Sequence, residues 1–194
     1  LYAEEPLDVE WKGNIYAIDA TTIDLCLTMF PWAKFRRTKA AVKLHTKINL
    51  RGNIPDFIHI SDGKLNDVNA LDLIIPEANA FYLIDRAYTD FRHLYLFHQA
   101  EANFVSLLKK SIVWKRRYSH KADNDSGIRS DQTITLSGKD TSRYYPEPLR
   151  RIRFYSEERN RYLVFITNNF DLPAVTITKL YKMRWQIELF FKWI

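Results

Sequence analysis

The chain has 194 residues, 46% hydrophobic and 27% charged, with 29 Lys and Arg against 23 acids and a net charge of +6. Such a composition suits one soluble globular domain with its own core, and no run of about 18 apolar residues offers a membrane span. Cys26 is the only cysteine, which excludes an internal disulfide and a thiolate metal cluster and fits a reducing compartment.

Leu1 to Glu10 carries four acids and no apolar run, so no signal peptide is expected there. The missing initiator Met makes a fragment the expectation. Positive charge favours polyanions. It is concentrated in two clusters, Lys34, Arg36, Arg37, Lys39, Lys43 and Lys47, then Lys109, Lys110, Lys115, Arg116, Arg117 and Lys121. Trp32, Phe35, Trp114 and Tyr118 are interleaved with them. Aromatics beside a basic groove suit base stacking, and each cluster reads equally well as a solvated face.

Asn14 to Ala20 reads as a buried strand with Asp19 near its C-terminal end. Thr22 to Met29 alternates, placing Ile23, Leu25, Leu27 and Met29 on one face. Ala41 to Leu50 alternates again, Arg51-Gly52-Asn53 signals a turn, and Ile54 to Ile60 follows as a strand. Together these outline an antiparallel meander. Ser61-Asp62-Gly63 breaks the chain, and Asn66-Asp67 supplies cap chemistry for a helix through Leu73. Phe81 to Ile84 is a short apolar strand followed at once by Asp85. A helix from about Asp90 to Ala100 and a strand from Asn103 to Leu108 complete a mixed sheet with flanking helices.

From Ser111 to about Asn169 the character changes. Strand-like pieces at Gln132 to Leu136, Ile152 to Tyr155 and Tyr162 to Ile166 flank a polar turn at Asn124-Asp125-Ser126-Gly127. The expectation is a β-rich insertion apart from the main sheet, with Arg143 to Pro148 as a loop because of its two prolines. The division expected is 1–110 for the first part of the core, 111–169 for the insertion and 170–194 for a final core helix. That helix starts near Asp171 or Pro173 and runs to Ile194. At about 100° per residue, Tyr181, Arg184, Glu188 and Lys192 share one narrow stripe. The remaining circumference is largely apolar, which predicts a buried helix whose charges need partners or a metal.

Asp19 and Asp85 thus end predicted strands, and Glu188 lies on the polar stripe. Converging carboxylates suit hard divalent ions and two-metal chemistry. Plainer readings stand beside this: Asp19 as a strand-end turn residue, and Glu188 as an intrahelical partner of Arg184 or Lys192. His45 reads as a hydrogen-bonded strand residue, Asp67 as a helix cap, and Trp114 as a core-edge aromatic in preference to a base trap.

Four segments carry a family resemblance: Tyr16 to Leu25 (YAIDATTIDL), Val42 to Ile60, Tyr82 to Tyr88 (YLIDRAY) and Tyr181 to Ile194 (YKMRWQIELFFKWI). With them the chain resembles the DDE transposases of the IS-four family. The resemblance implies an α/β fold, a ribonuclease-H-like mixed sheet with flanking helices interrupted by a β-rich insertion. It implies Asp19, Asp85 and Glu188 as catalytic, metal-holding residues, with Mg²⁺, or Mn²⁺ in its place, as cofactor. It implies Tyr181 and Arg184 as DNA contacts, and Lys192, nearby on the same helix face, joins them as an expected contact. The family's last signature is Tyr, two residues, Arg, three residues, Glu, six residues, Lys. Tyr181, Arg184 and Glu188 match it, and the lysine position falls one beyond Ile194, so Lys192 is not the motif lysine. The second motif usually reads Asp-Arg-Gly-Tyr; Ala87 replaces the glycine, at a cost in stability if that position needs positive φ.

The implied activity is strand cleavage and transfer at transposon ends. The implied partners are double-stranded DNA, both transposon ends and target, and a second copy of the chain in the DNA complex, without a membrane and in the bacterial cytoplasm at the nucleoid. Two other readings are an inactive remnant that only binds DNA, against which the intact Asp19, Asp85 and Glu188 speak, and another ribonuclease-H-like nuclease, which the Tyr-Arg-Glu helix disfavours.

Overall fold

The computed structural model describes residues 9–26, 28–29, 34–36, 39–62 and 67–194, with the backbone alone at 34–36, 39 and 62. The expectations for Leu27, Trp32, Arg37 and Asn66, and for the side chains of Lys34, Phe35, Arg36 and Lys39, lie outside the described residues.

The described strands are β1 (Ile15–Leu25), β2 (Lys34–Arg36), β3 (Lys39–Asn49), β4 (Ile54–Asp62), β5 (Phe81–Ile84), β6 (Asn103–Leu107), β7 (Trp114–His120), β8 (Ile128–Leu136), β9 (Leu149–Ser156) and β10 (Arg161–Thr167). The helices are α1 (Asp67–Ala70), α2 (Phe91–Gln99), α3 (Lys139–Tyr144), α4 (Ala174–Met183) and α5 (Trp185–Trp193). One mixed sheet takes all the strands. From the meander β4–β3–β1 it continues through β5, β6, β10, β9 and β8 to β7, with the short β2 also on β3. β5 runs parallel to both β1 and β6, and every other pairing is antiparallel.

Both faces of the sheet centre are covered, which is why Phe81–Ile84 is apolar at every position and wholly buried. Tyr16, Ile18, Tyr82, Ile84 and Phe104 point to one side, against Phe91, Leu94 and Phe97 of α2. Ile15, Ala17, Phe81, Leu83 and Val105 point to the other, against Ile177, Leu180 and Tyr181 of α4 and Ile187 of α5. Asp90 caps α2, its carboxylate accepting from the backbone N–H of Arg92 and His93. No helix among the described residues is long and apolar enough to cross a membrane.

Several expectations need correction. The strands read at Asn14 to Ala20 and from Thr22 are one, because β1 stays paired with β3 from Tyr16↔Asn49 to Leu25↔Ala40. The expected β-rich character of 111–169 is present, but its separation is not. β10 pairs with β6 through Phe165↔Leu107 and Thr167↔Val105, so β7 to β10 extend the main sheet. The physical reason is that Phe104, Val105 and Ser106 are fully buried, and their backbone groups need a ladder on both sides. Arg143 and Tyr144 belong to α3, leaving only 145–148 as the expected loop.

The final helix is interrupted. Arg184 separates α4 from α5 while keeping right-handed helical angles. Arg184 N donates to Tyr181 O at 3.2 Å and Ile187 N to Arg184 O at 3.1 Å, a single tightened turn of 3-10 type. Nor is the second half buried all round. Ile187 faces the sheet, whereas Trp185 and Trp193 are 46% and 87% exposed. Only one side of α5 meets the sheet, so the apolar residues on its other side stay in solvent.

Candidate active site

Asp19 lies inside β1, one residue past its last parallel pairing with β5, Ile18↔Ile84, and Asp85 follows the last residue of β5. Relative to each other the two aspartates thus occupy the carboxyl ends of adjacent parallel strands, where α/β sheets open their crevices. The two-residue period gives Asp19 the face of Ile15 and Ala17, and Asp85 the face of Phe81 and Leu83, which is the face covered by α4 and α5.

Each aspartate divides its oxygens between two tasks. Asp19 Oδ1 accepts from Ala20 N at 2.8 Å, and Asp85 Oδ1 accepts from Ala87 N at 2.8 Å. The other oxygens point at one cation. Arg184 Nη1 donates to Asp19 Oδ2, and Nη2 lies 3.7 Å from Asp85 Oδ2. Nη2 also donates to Glu188 Oε1 at 2.8 Å. The structure therefore gathers Asp19, Asp85 and Glu188 around the Arg184 guanidinium. Side-chain exposure rises from 13% at Arg184 through 20% at Asp19 and 30% at Asp85 to 40% at Glu188. The cluster is most exposed on the Asp85–Glu188 side. The hollows beside Met183 and Trp185 and beside Asp123 are not lined by these carboxylates.

Burial pushes the Asp19 carboxyl up to about 6, against the pull of Arg184. Desolvation works against the charge on Arg184, but Asp19, Tyr181, Asp85 and Glu188 outweigh it and raise its pKa. Tyr181 is buried against Phe165, with ring centroids 5.2 Å apart, and burial raises its phenol to about 12. The Arg184 guanidinium carbon is 5.8 Å from the Tyr181 ring centre. Lys192 is not in the cluster: it is exposed, its ammonium 5.2 Å from the ring centre of Trp185.

The three acids are hard oxygen donors that already attract one cation, so the donor set fits a divalent metal. Among the described residues no group of three His, Cys, Asp or Glu side chains is arranged to hold an ion, since the acids stand around Arg184. Thr46 adds a donor that the sequence reading missed. It pairs across from Asp19 on the same face, and its hydroxyl is buried without a partner. Only the β1–β3 register reveals it.

A polar network braces the site from the opposite sheet face. His45 is buried, its Nδ1 3.1 Å from the Tyr88 hydroxyl and its Nε2 3.2 Å from Ser61 Oγ. Burial, then Lys43, lowers its pKa, keeping the imidazole neutral. This agrees with its reading as a hydrogen-bonded strand residue. Asp67, in the first turn of α1, pairs with Lys43 at 2.7 Å. Tyr88 closes the 3-10 turn that Asp85 caps, so this network fixes the turn carrying Asp85. Ala87 is not among the residues with positive φ, and its replacement of glycine brings no strain. A second buried pair anchors α4. Arg150 grips Asp131 at 2.9 and 2.6 Å and donates to Leu172 O at 2.6 Å, just ahead of the helix. Trp114 is half-buried beneath Arg151, whose guanidinium carbon is 4.6 Å from its ring centre.

A mixed sheet of this order, with helices on both faces, is compatible with the ribonuclease-H-like fold of transposases. The chain belongs to the Transposase DDE domain family, which it matches over residues 10–194. It is 31% identical over 189 residues to "Putative transposase y4zB" of Sinorhizobium fredii, covering 95% of this chain and 52% of that protein. It is 26% identical over 182 residues to "Probable transposase for insertion sequence element IS5377" of Geobacillus stearothermophilus, covering 91% of this chain and 46% of that protein. The chain thus spans about half the length of these relatives.

Proposed function

We propose that this chain is the catalytic core of a DNA transposase, with Asp19, Asp85 and Glu188 as its metal-holding residues. The observation that carries the reading is the convergence of these three acids, from β1, the end of β5 and α5, on one cationic point. Mg²⁺ or Mn²⁺ held there supplies activation of the attacking oxygen and stabilisation of the leaving one.

The chain's own residues then have distinct tasks. Asp19 and Asp85, each with one oxygen fixed by a backbone N–H, hold the other in a set direction, towards the point that Arg184 occupies. Arg184 and Tyr181 contact the phosphate beside the cut, the guanidinium fork suiting two phosphate oxygens. Lys192, exposed further along α5, contacts the DNA backbone outside the cluster. In the first step water attacks phosphorus, the bond to the 3′ oxygen breaks, and a 3′-hydroxyl is freed at the transposon end. In the second, that hydroxyl attacks a target phosphodiester, joins to its phosphate and releases a target 3′-hydroxyl. Duplex transposon ends and target DNA are the partners, two copies of the chain act together on the ends, and the setting is the bacterial nucleoid.

The test is to incubate the protein and Mg²⁺ with DNA flanking its own coding sequence and map the products. A 3′-hydroxyl at the element boundary and joined target strands are expected. Absence of cutting, or cutting at the same rate in chelator, overturns the reading.

A further inference from the structure

Arg184 stands where the proposed ion ligands converge. Its fork binds Asp19 and Glu188 and lies 3.7 Å from Asp85, with its side chain only 13% exposed. A divalent ion on these acids takes the same oxygen lone pairs that the fork engages. At that spacing the ion and the guanidinium also repel each other, so the carboxylates serve one cation or the other. The backbone at Arg184 sits in a tightened turn between two helices, and its Nε is buried without a partner. The side chain is therefore held by its carboxylate contacts and not by a closed network around its stem.

We infer that Arg184 is an exchangeable internal counter-cation, clamping the acids until divalent ions take them and freed by that exchange to bind a DNA phosphate. The inference rests on the proposed ion-holding role of Asp19, Asp85 and Glu188. It gives Arg184 two successive partners of the same chemical kind, carboxylate and then phosphate oxygens. It also makes ion and DNA binding mutually reinforcing, since linkage is reciprocal. A residue that simply helps to build the ion site weakens ion binding when removed. An internal competitor has the opposite sign.

The experiment measures Mn²⁺ binding to the DNA-free protein by the electron paramagnetic resonance of free Mn²⁺. Wild type, Arg184→Gln and Asp85→Asn are compared. Arg184→Gln is expected to bind Mn²⁺ about tenfold more tightly, a typical coupling factor, while Asp85→Asn loses affinity. Unchanged or weaker binding by Arg184→Gln, with affinity still lost in Asp85→Asn, overturns the exchange and leaves the ion site standing. Full affinity in Asp85→Asn overturns the ion site itself. If Arg184→Gln does not fold, wild type decides the matter. In a Mg²⁺ titration followed by nitrogen-15 NMR, the Arg184 side-chain N–H signals, assigned by their loss in Arg184→Lys, must shift with the binding midpoint. Signals that stay fixed while Mg²⁺ saturates the protein overturn the exchange.

Discussion

Replacing Glu188 by Gln removes one charge at nearly constant volume and separates two roles for this carboxylate. If α5 only used Glu188 to neutralise a buried Arg184, breaking the pair would cost about 3–5 kcal/mol. The geometry gives a smaller figure. Glu188 is 40% exposed, its contact with Arg184 is an i,i+4 pair, and Arg184 keeps its bond to Asp19. Screened in this way, the pair contributes about 0.5 kcal/mol. The expected loss of stability is thus below about 1 kcal/mol, a fall in Tm of roughly 2–4 °C at this chain length. Strand cleavage should fall further than the ~10–100-fold that losing an outer partner of a metal ligand costs. Thermal melts run beside a cleavage assay on end DNA compare the two. A fall in Tm beyond about 10 °C, with activity declining only as folded protein declines, would refute the reasoning and leave α5 a structural helix.

Three further outcomes follow from the same contacts. Arg150→Ala leaves Asp131, 4% exposed, as an uncompensated charge and should cost about 3–5 kcal/mol in urea unfolding; a loss under about 1 kcal/mol contradicts the anchoring of α4. Asp19 has its folded pKa raised from 3.8 to about 6, so the stability it contributes is fully present below pH 3.8 and lost as pH rises through about 6. That change amounts to ~3 kcal/mol, and the stability of Asp19→Asn relative to wild type should therefore rise across this window; a flat difference between the two sets of melts counts against the burial assigned to Asp19. Tyr88→Phe keeps the ring but strips buried His45 of a partner, and should cost about 1–3 kcal/mol in thermal unfolding, whereas an unchanged Tm would show that the hydroxyl braces nothing.

Much of the candidate site was legible because the family motifs single out Asp19, Asp85 and Glu188, and their local positions agree. An aspartate directly after a wholly apolar tetrapeptide, and a glutamate in register with Arg184 on a helix, need no tertiary information to stand out. A helix starting near Asp90 was equally plain. What failed depended on pairing across long distances. Nothing in Arg161–Thr167 itself says that its ladder partner is β6 and not a strand of a separate unit. The continuity of β1 through Ala20–Thr22 comes from β3, which holds the strand together past a run of small residues that reads locally as a break. The 3-10 turn at Arg184 breaks no sequence rule, since no proline or glycine sits there. Thr46 is invisible as a site neighbour until the register with Asp19 is known. Exposure of Trp185 and Trp193 likewise escapes a helical wheel, which shows where apolar residues lie but not whether anything covers them.

The account turns on three acids acting as one ion-dependent centre, and the most direct test is the cleavage rate of Asp19→Asn, Asp85→Asn and Glu188→Gln on end DNA in Mg²⁺. Each variant is expected to retain its fold and its binding of that DNA while losing strand cleavage. Cleavage at the wild-type rate by any one of the three, in folded and DNA-bound protein, would contradict it.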